Sequence, residues 1–280
     1  MLCGAEREKL AFEFRRFPRD GAYCERRSVI SAAGRREREM SVLCIENLVK
    51  SYAGKKLAAD GISFTVEAGE IFGLLGKNGA GKSTTIKCVT GLQGYDSGRI
   101  EVCGCDVAAD PLGAKRHIGY VPDNHACYEF MTGREYVSFI ADVFGRKDYA
   151  AEIADLAERF DIAHSIDKPI STYSRGMKQK IVLIASLVHR PELWILDEPM
   201  VGLDVSMMDL LMRSMKAYAA EGNGVFFSSH NMDTVEKVCD RAAIIVDGRL
   251  KEILDLAEFK ASGRGPLETY FLEMTGGEER

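Results

Sequence analysis

The chain has 280 residues, a formal net charge of -5 and a hydrophobic fraction of 46%. That length suits one large α/β domain or a domain with a subdomain, and the acidic balance argues against nucleic acid as the main partner, which calls for a basic face. No apolar run approaches the roughly eighteen residues needed to cross a bilayer, so any membrane-spanning part is expected on another chain. The eight cysteines stand at Cys3, Cys24, Cys44, Cys88, Cys103, Cys105, Cys127 and Cys239, with no Cys-x-x-Cys pair. On one strand Cys103 and Cys105 would share a face, so half a metal site is conceivable; the plainer reading is reduced, mostly buried thiols in the cytosol.

Residues 1–39 hold ten Arg or Lys against seven Asp or Glu, a balance of +3 that leaves -8 for the rest. They show neither strand alternation nor a helical stripe. They read as a disordered arm, or as a stretch ahead of a true start at Met40. The domain proper is expected over 40–280. Val42-Leu43-Cys44-Ile45-Glu46-Asn47-Leu48 reads as a strand, 50–56 as a turn, and Ile62-Ser63-Phe64-Thr65-Val66 as a second strand ending at the turn 67–70. Short β segments here predict an antiparallel flank beside a parallel core.

The next stretch organises the chain. An apolar run, Ile71 to Leu75, leads into Gly76-Lys77-Asn78-Gly79-Ala80-Gly81-Lys82-Ser83-Thr84 and then a helical segment. Gly-x4-Gly-Lys-Ser between a buried strand and a helix is a phosphate-binding loop. Glycines at 76, 79 and 81 let backbone N–H groups, with the helix N-terminus, close on phosphate oxygens. Lys82 would sit against the β- and γ-phosphates and the Ser83 hydroxyl would hold Mg²⁺. Segments 99–104 and 117–122 read as further strands.

From about 124 to 180 the pattern turns helical. Thr132-Gly133-Arg134-Glu135 has capping-box spacing, Tyr149 to Phe160 carries apolar residues at helical spacing, and a third helix runs from about Arg175 to His189. Strands resume at 193–196, 225–228 and 243–246, and 251–280 reads as a peripheral helix or two. Leu193-Trp194-Ile195-Leu196-Asp197-Glu198 is a buried strand ending in two carboxylates. That edge is where an open α/β sheet binds ligand, which suits Asp197 to Mg²⁺ and Glu198 to polarising a water against the γ-phosphate. The pattern predicts an α/β chain with an antiparallel β flank and an inserted helical subdomain.

Tyr173-Ser174-Arg175-Gly176-Met177 opens a helix, Gly202-Leu203-Asp204 follows the two carboxylates, and Ser229-His230 follows a core strand. With the phosphate loop, this ordered set over about 42–250 resembles the nucleotide-binding subunits of ABC transporters, the exporter-like type with a separate membrane subunit. The resemblance implies a P-loop NTPase core, and an ATPase that binds ATP and Mg²⁺ and works as a dimer of itself. The Ser174 and Gly176 of one copy would close on ATP held by the other's Gly76, Asn78, Gly79, Gly81, Lys82, Ser83 and Thr84. It implies a γ-phosphate contact for His230, an interface place for Asp204 and adenine stacking for Tyr52. Locally, Ser174 and Asp204 read equally as helix N-caps, and Tyr52 as a packing residue.

The resemblance also implies a transmembrane permease as partner, no nucleic acid, and a place at the cytoplasmic face of the membrane. The chain departs from the family at Asp123, where a Gln is usual. Asp123 can offer an oxygen to Mg²⁺ yet adds a third carboxylate near Asp197 and Glu198. Tyr-Ser-Arg-Gly-Met also replaces the usual Leu-Ser-Gly-Gly-Gln. Two other readings are a soluble ABC-type ATPase of DNA repair or translation, and a regulatory module that binds ATP without turning it over.

Overall fold

In chain order the strands are β1 (Ser41–Tyr52), β2 (Lys56–Glu67), β3 (Ile71–Leu75), β4 (Ser97–Val102), β5 (Cys105–Asp106), β6 (Ile118–Val121), β7 (Leu193–Leu196), β8 (Gly224–Ser229), β9 (Arg241–Val246) and β10 (Arg249–Asp255). The computed structural model describes residues 41–52, 56–124 and 126–275. The expectations for 1–39, and for 276–280 of the last segment, lie outside these residues. One sheet runs β2-β1-β4-β5 and is antiparallel; the other runs β10-β9-β3-β8-β7-β6 and is parallel apart from β10.

β3, β7 and β8 are buried at every residue, as parallel strands covered on both faces must be. Their side chains alternate between two cores. Trp194, Leu196, Val225 and Phe227 join the helices on one face, while Leu193, Ile195 and Phe226 meet the antiparallel sheet on the other. At that second seam Phe64 of β2 stacks on Phe72 of β3, ring centroids 5.0 Å apart, with Phe226 tilted alongside. The buried indole N–H of Trp194 donates to Ser186 Oγ at 3.0 Å, so the first core carries no cost there for an unmet donor.

The helices are α1 (Lys82–Val89), α2 (Pro111–Arg116), α3 (Gly133–Val143), α4 (Ala150–Arg159), α5 (Arg175–Leu187), α6 (Val205–Ala220), α7 (Met232–Val238), α8 (Leu256–Ala261) and α9 (Leu267–Met274). The capping box opens α3: Glu135 N donates to Thr132 Oγ1 at 3.2 Å and Thr132 N to Glu135 Oε2 at 2.8 Å. α3, α4 and α5 pack on one another through Val137, Ala141, Ile153, Leu156 and Ile181. Register brings the C-terminal ends of β3, β8, β7 and β6 to one edge: Leu75 lies opposite Ser229, Leu196 opposite Phe227 and Val121 opposite Leu196. Each chemistry-bearing loop from those strands therefore leaves at the same side.

Several sequence expectations need correction. The turn at 50–56 is shorter, because β1 continues through Tyr52, which pairs with Lys56. Asp96, far along the chain, accepts from Ser51 N at 2.6 Å and from Ser51 Oγ at 2.7 Å, holding that stretch extended. Cys103 is not on a strand with Cys105. With Gly104 it forms a two-residue hairpin turn, φ 49° and 79°, the paired positive φ that right-twisted strands favour. The final segment holds a strand as well as helices: β10 extends the parallel sheet by antiparallel pairing to β9.

Candidate active site

The loop from Gly76 to Ser83 owes its path to its glycines. Gly81 has φ 109°, and a Cβ there would stand 2.1 Å from the Ala58 carbonyl oxygen of β2. Gly79, at φ 80°, meets nothing within 4 Å of an added Cβ, so its backbone borders open space on the exposed side of the loop together with Asn78. Such a concave run of N–H groups ahead of a helix suits an anion. Lys82, 5% exposed, turns back across the loop, where Nζ donates to Gly76 O at 2.7 Å and Lys77 O at 3.4 Å. The same Nζ lies 3.0 Å from Glu198 Oε1, an ion pair without hydrogen-bond alignment.

Ser83 Oγ donates to Asp197 Oδ1 at 3.1 Å, and Ser228 Oγ donates to the same oxygen at 2.6 Å. Asp197 is fully buried, and its Oδ2 has no hydrogen-bond partner. Burial pushes the Asp197 carboxyl above its ordinary value; the bonds from Ser228 and Ser83 oppose this, and the charges of Asp123 and Glu198 add to it. A buried carboxylate oxygen without a partner, beside a serine hydroxyl and a phosphate loop, is a donor set of the hard-oxygen kind that suits Mg²⁺.

Glu198 has φ 48°, an uncommon left-handed backbone for a residue with a side chain, and its N–H donates to Ser228 Oγ at 2.8 Å. His230 Nδ1 lies 2.9 Å from Glu198 Oε2. The structure thus gathers Lys82, Ser83, Asp197, Glu198 and His230 into one contiguous group, with Thr84 in the first turn of α1. Asp123 lies just beyond β6, exposed, with Asn124 N donating to its Oδ1 at 2.8 Å. Ser228 had no expected role. The sequence signal was a serine at the end of a wholly apolar strand, a position that can clamp both carboxylate residues at once. Ser228→Ala should lower ATP turnover by about tenfold and reduce melting temperature, as loss of a buried bridging hydroxyl worth about 1–3 kcal/mol predicts. Turnover and a melt equal to the parent's would show that the clamp is unimportant.

The remaining expected residues stand elsewhere. Ser174 caps α5, accepting from Met177 N at 3.3 Å, and Gly176 faces open space. Asp204 caps α6, accepting from Met207 N at 2.8 Å. Both local capping accounts therefore hold. The two loops are neighbours, since Gly202 packs against the Arg175 guanidinium. Gln179 on α5 donates to Pro199 O at 2.9 Å, tying that helix to the peptide after Glu198. Tyr52 is 45% exposed, with Lys50 Nζ 5.6 Å from its ring centroid.

A family model described as ABC transporter matches residues 59–201, more than half the chain, spanning the phosphate loop, the start of α5 and both carboxylates. The chain belongs to the ABC transporter family. It is 40% identical over 211 residues to the linearmycin resistance ATP-binding protein LnrL of Bacillus subtilis (strain 168), covering 75% of this chain and 68% of that one. It is 34% identical over 246 residues to the putative ABC transporter ATP-binding protein AlbC of the same organism, covering 85% of this chain and 100% of that one. A solved structure of an ATP binding subunit of an ABC transporter matches with a TM-score of 0.79 at 30% identity, covering 84% of this chain and 100% of that one. This ABC subunit has a P-loop NTPase core, binds ATP and hydrolyses it to drive transport. No helix among its described residues is long and apolar enough to cross a membrane.

Proposed function

We propose that two copies of this ABC subunit close on ATP and Mg²⁺, powering a separate transmembrane permease from the cytoplasmic face of the membrane. The observation that carries this reading is the single cluster of Lys82, Ser83, Asp197, Glu198 and His230 at one sheet edge. Within it Lys82 and the loop N–H groups would bind the β- and γ-phosphates, while Ser83 and Asp197 would hold Mg²⁺, with Asp123 able to offer a further oxygen. The chemistry such a cation would supply there is positive charge to offset that of the phosphates. Glu198 takes the proton of the attacking water, and His230, braced on Glu198, holds the water and γ-phosphate in line. Ser174 and Gly176, at a helix start open to solvent, are suited to meet the γ-phosphate on the other copy, with Asp204 alongside in the interface and Tyr52 against the adenine.

The permease is proposed to dock on the face from Asp123 to α3. There Phe130 is 81% exposed, and Tyr128, Phe139 and Val143 add exposed apolar surface. Tyr128 sits at the centre of an aromatic group, its ring 5.8 Å from Phe130 and 6.0 Å from both Tyr136 and Phe139. An apolar patch of this kind marks a contact surface. The name of LnrL, a resistance protein, supports outward transport. Co-purification of the tagged chain with a protein carrying several membrane spans tests the reading; a chain found only alone with ATP and Mg²⁺ would count against it.

Asp123→Gln checks the metal-site departure separately. The change removes a charge that raises Asp197, so ATP turnover should stay at the parent's level or rise. Complete loss of activity would instead give this carboxylate a role of its own.

A further inference from the structure

Three donors of different chemistry meet at the other end of the strands that carry the active-site carboxylates. Cys103 comes from the β4–β5 turn, His117 from just before β6 and Glu192 from just before β7. One ligand atom from each, a thiol sulfur, an imidazole nitrogen and a carboxylate oxygen, lies within 4.8 Å of both others. His117 Nδ1 already stands 2.9 Å from Glu192 Oε2. Their segments are held by backbone hydrogen bonds. Leu193 N donates to His117 O at 3.0 Å, Gly224 N to Glu192 O at 2.8 Å, and Cys103 N to Val42 O at 3.0 Å. The Cys103 thiol lies 3.8 Å from that same Val42 oxygen, a weak hydrogen bond.

We propose that Cys103, His117 and Glu192 form a site for a borderline divalent cation of the Zn²⁺ type. Mixed sulfur, nitrogen and oxygen donors select such a cation over Mg²⁺ or Ca²⁺, which take oxygen alone. Tetrahedral coordination at the usual bond lengths sets ligand atoms about 3.4–3.6 Å apart, so the required adjustment is small. Cys103 is half-buried and the Glu192 side chain is 49% exposed, so the carboxylate can swing to the cation while the turn stays fixed. Binding replaces the His117–Glu192 hydrogen bond, converts the thiol to thiolate with release of its proton, and leaves a fourth position for water. The bound cation staples the antiparallel sheet to the edge of the parallel one. The four-residue strand Leu193–Leu196 separates Glu192 from Asp197, five steps of about 3.3 Å or about 16 Å, so the site is distinct from the one at the phosphate loop.

The test uses the full chain, stripped of metal by chelator and titrated with Co²⁺. One equivalent should produce a thiolate-to-cobalt charge-transfer band that Zn²⁺ displaces. Cys103→Ser should abolish the band. His117→Gln and Glu192→Gln should each weaken the apparent affinity by at least the roughly tenfold that removing even an outer partner of a ligand costs. All three variants should keep the parent's affinity for ATP with Mg²⁺, which shows that they fold. Absence of a band in the parent, a band that survives Cys103→Ser, or unchanged affinity in His117→Gln would each overturn the site.

Discussion

Lys82→Ala abolishes ATP binding, with affinity lowered by at least about a hundredfold. Among the described residues the lysine is the one cation buried against the loop, and its Nζ meets carbonyl oxygens and Glu198. In the proposed role the phosphates would give this ammonium charged acceptors in place of neutral carbonyls. Each charge-assisted hydrogen bond to phosphate is worth about 1.5–3 kcal/mol, and two of them, about 3–6 kcal/mol, give about a hundredfold to ten-thousandfold in dissociation constant. Equilibrium dialysis with labelled ATP reads the effect, and a melting curve in the absence of nucleotide shows whether the fold is intact. Normal affinity in a folded variant would remove the phosphate-loop assignment.

Glu198→Gln should leave ATP bound and unspent. The substitution keeps size and shape but loses the group proposed to take a proton from water, and positioned general-base catalysis contributes about 10²–10⁴-fold. The glutamine still spans to Lys82 and His230, so the site keeps its form. Two measurements belong together: phosphate release, which should fall by about that factor, and light scattering with ATP and Mg²⁺, which should show a stable pair of chains. Unchanged turnover would show another base at work. A drop in turnover with only single chains present would separate the chemistry of Glu198 from the proposed pairing.

Much of this was legible because the chemistry and the strands share a period. Ile71 to Leu75 and Leu193 to Leu196 are unbroken apolar runs, so their ends could be placed, and the residues after them fell at one sheet edge. The capping box at Thr132 is local and appeared as its spacing predicted. What escaped depends on distant partners. The extension of β1 to Tyr52 rests on Asp96, and the terminal segment becomes a strand only because β9 is there to pair with. Ser228 was visible but mute: a serine at a strand end acquires meaning only when Asp197 and the Glu198 N–H close around it. Cys103 and Cys105 do not share a strand face, since Gly104 turns the chain between them and leaves the Cys103 thiol within 4.8 Å of ligand atoms of His117 and Glu192.

Under the proposed roles, the contact between Lys82 and Glu198 sets an order of events. In it the ammonium proposed to bind phosphate and the carboxylate proposed as the base offset each other's charge. An incoming γ-phosphate draws the ammonium to itself and in doing so unmasks the carboxylate. Under those roles phosphate binding and base activation become one event, with Glu198 freed for proton abstraction by the phosphate whose bond it would help to cleave.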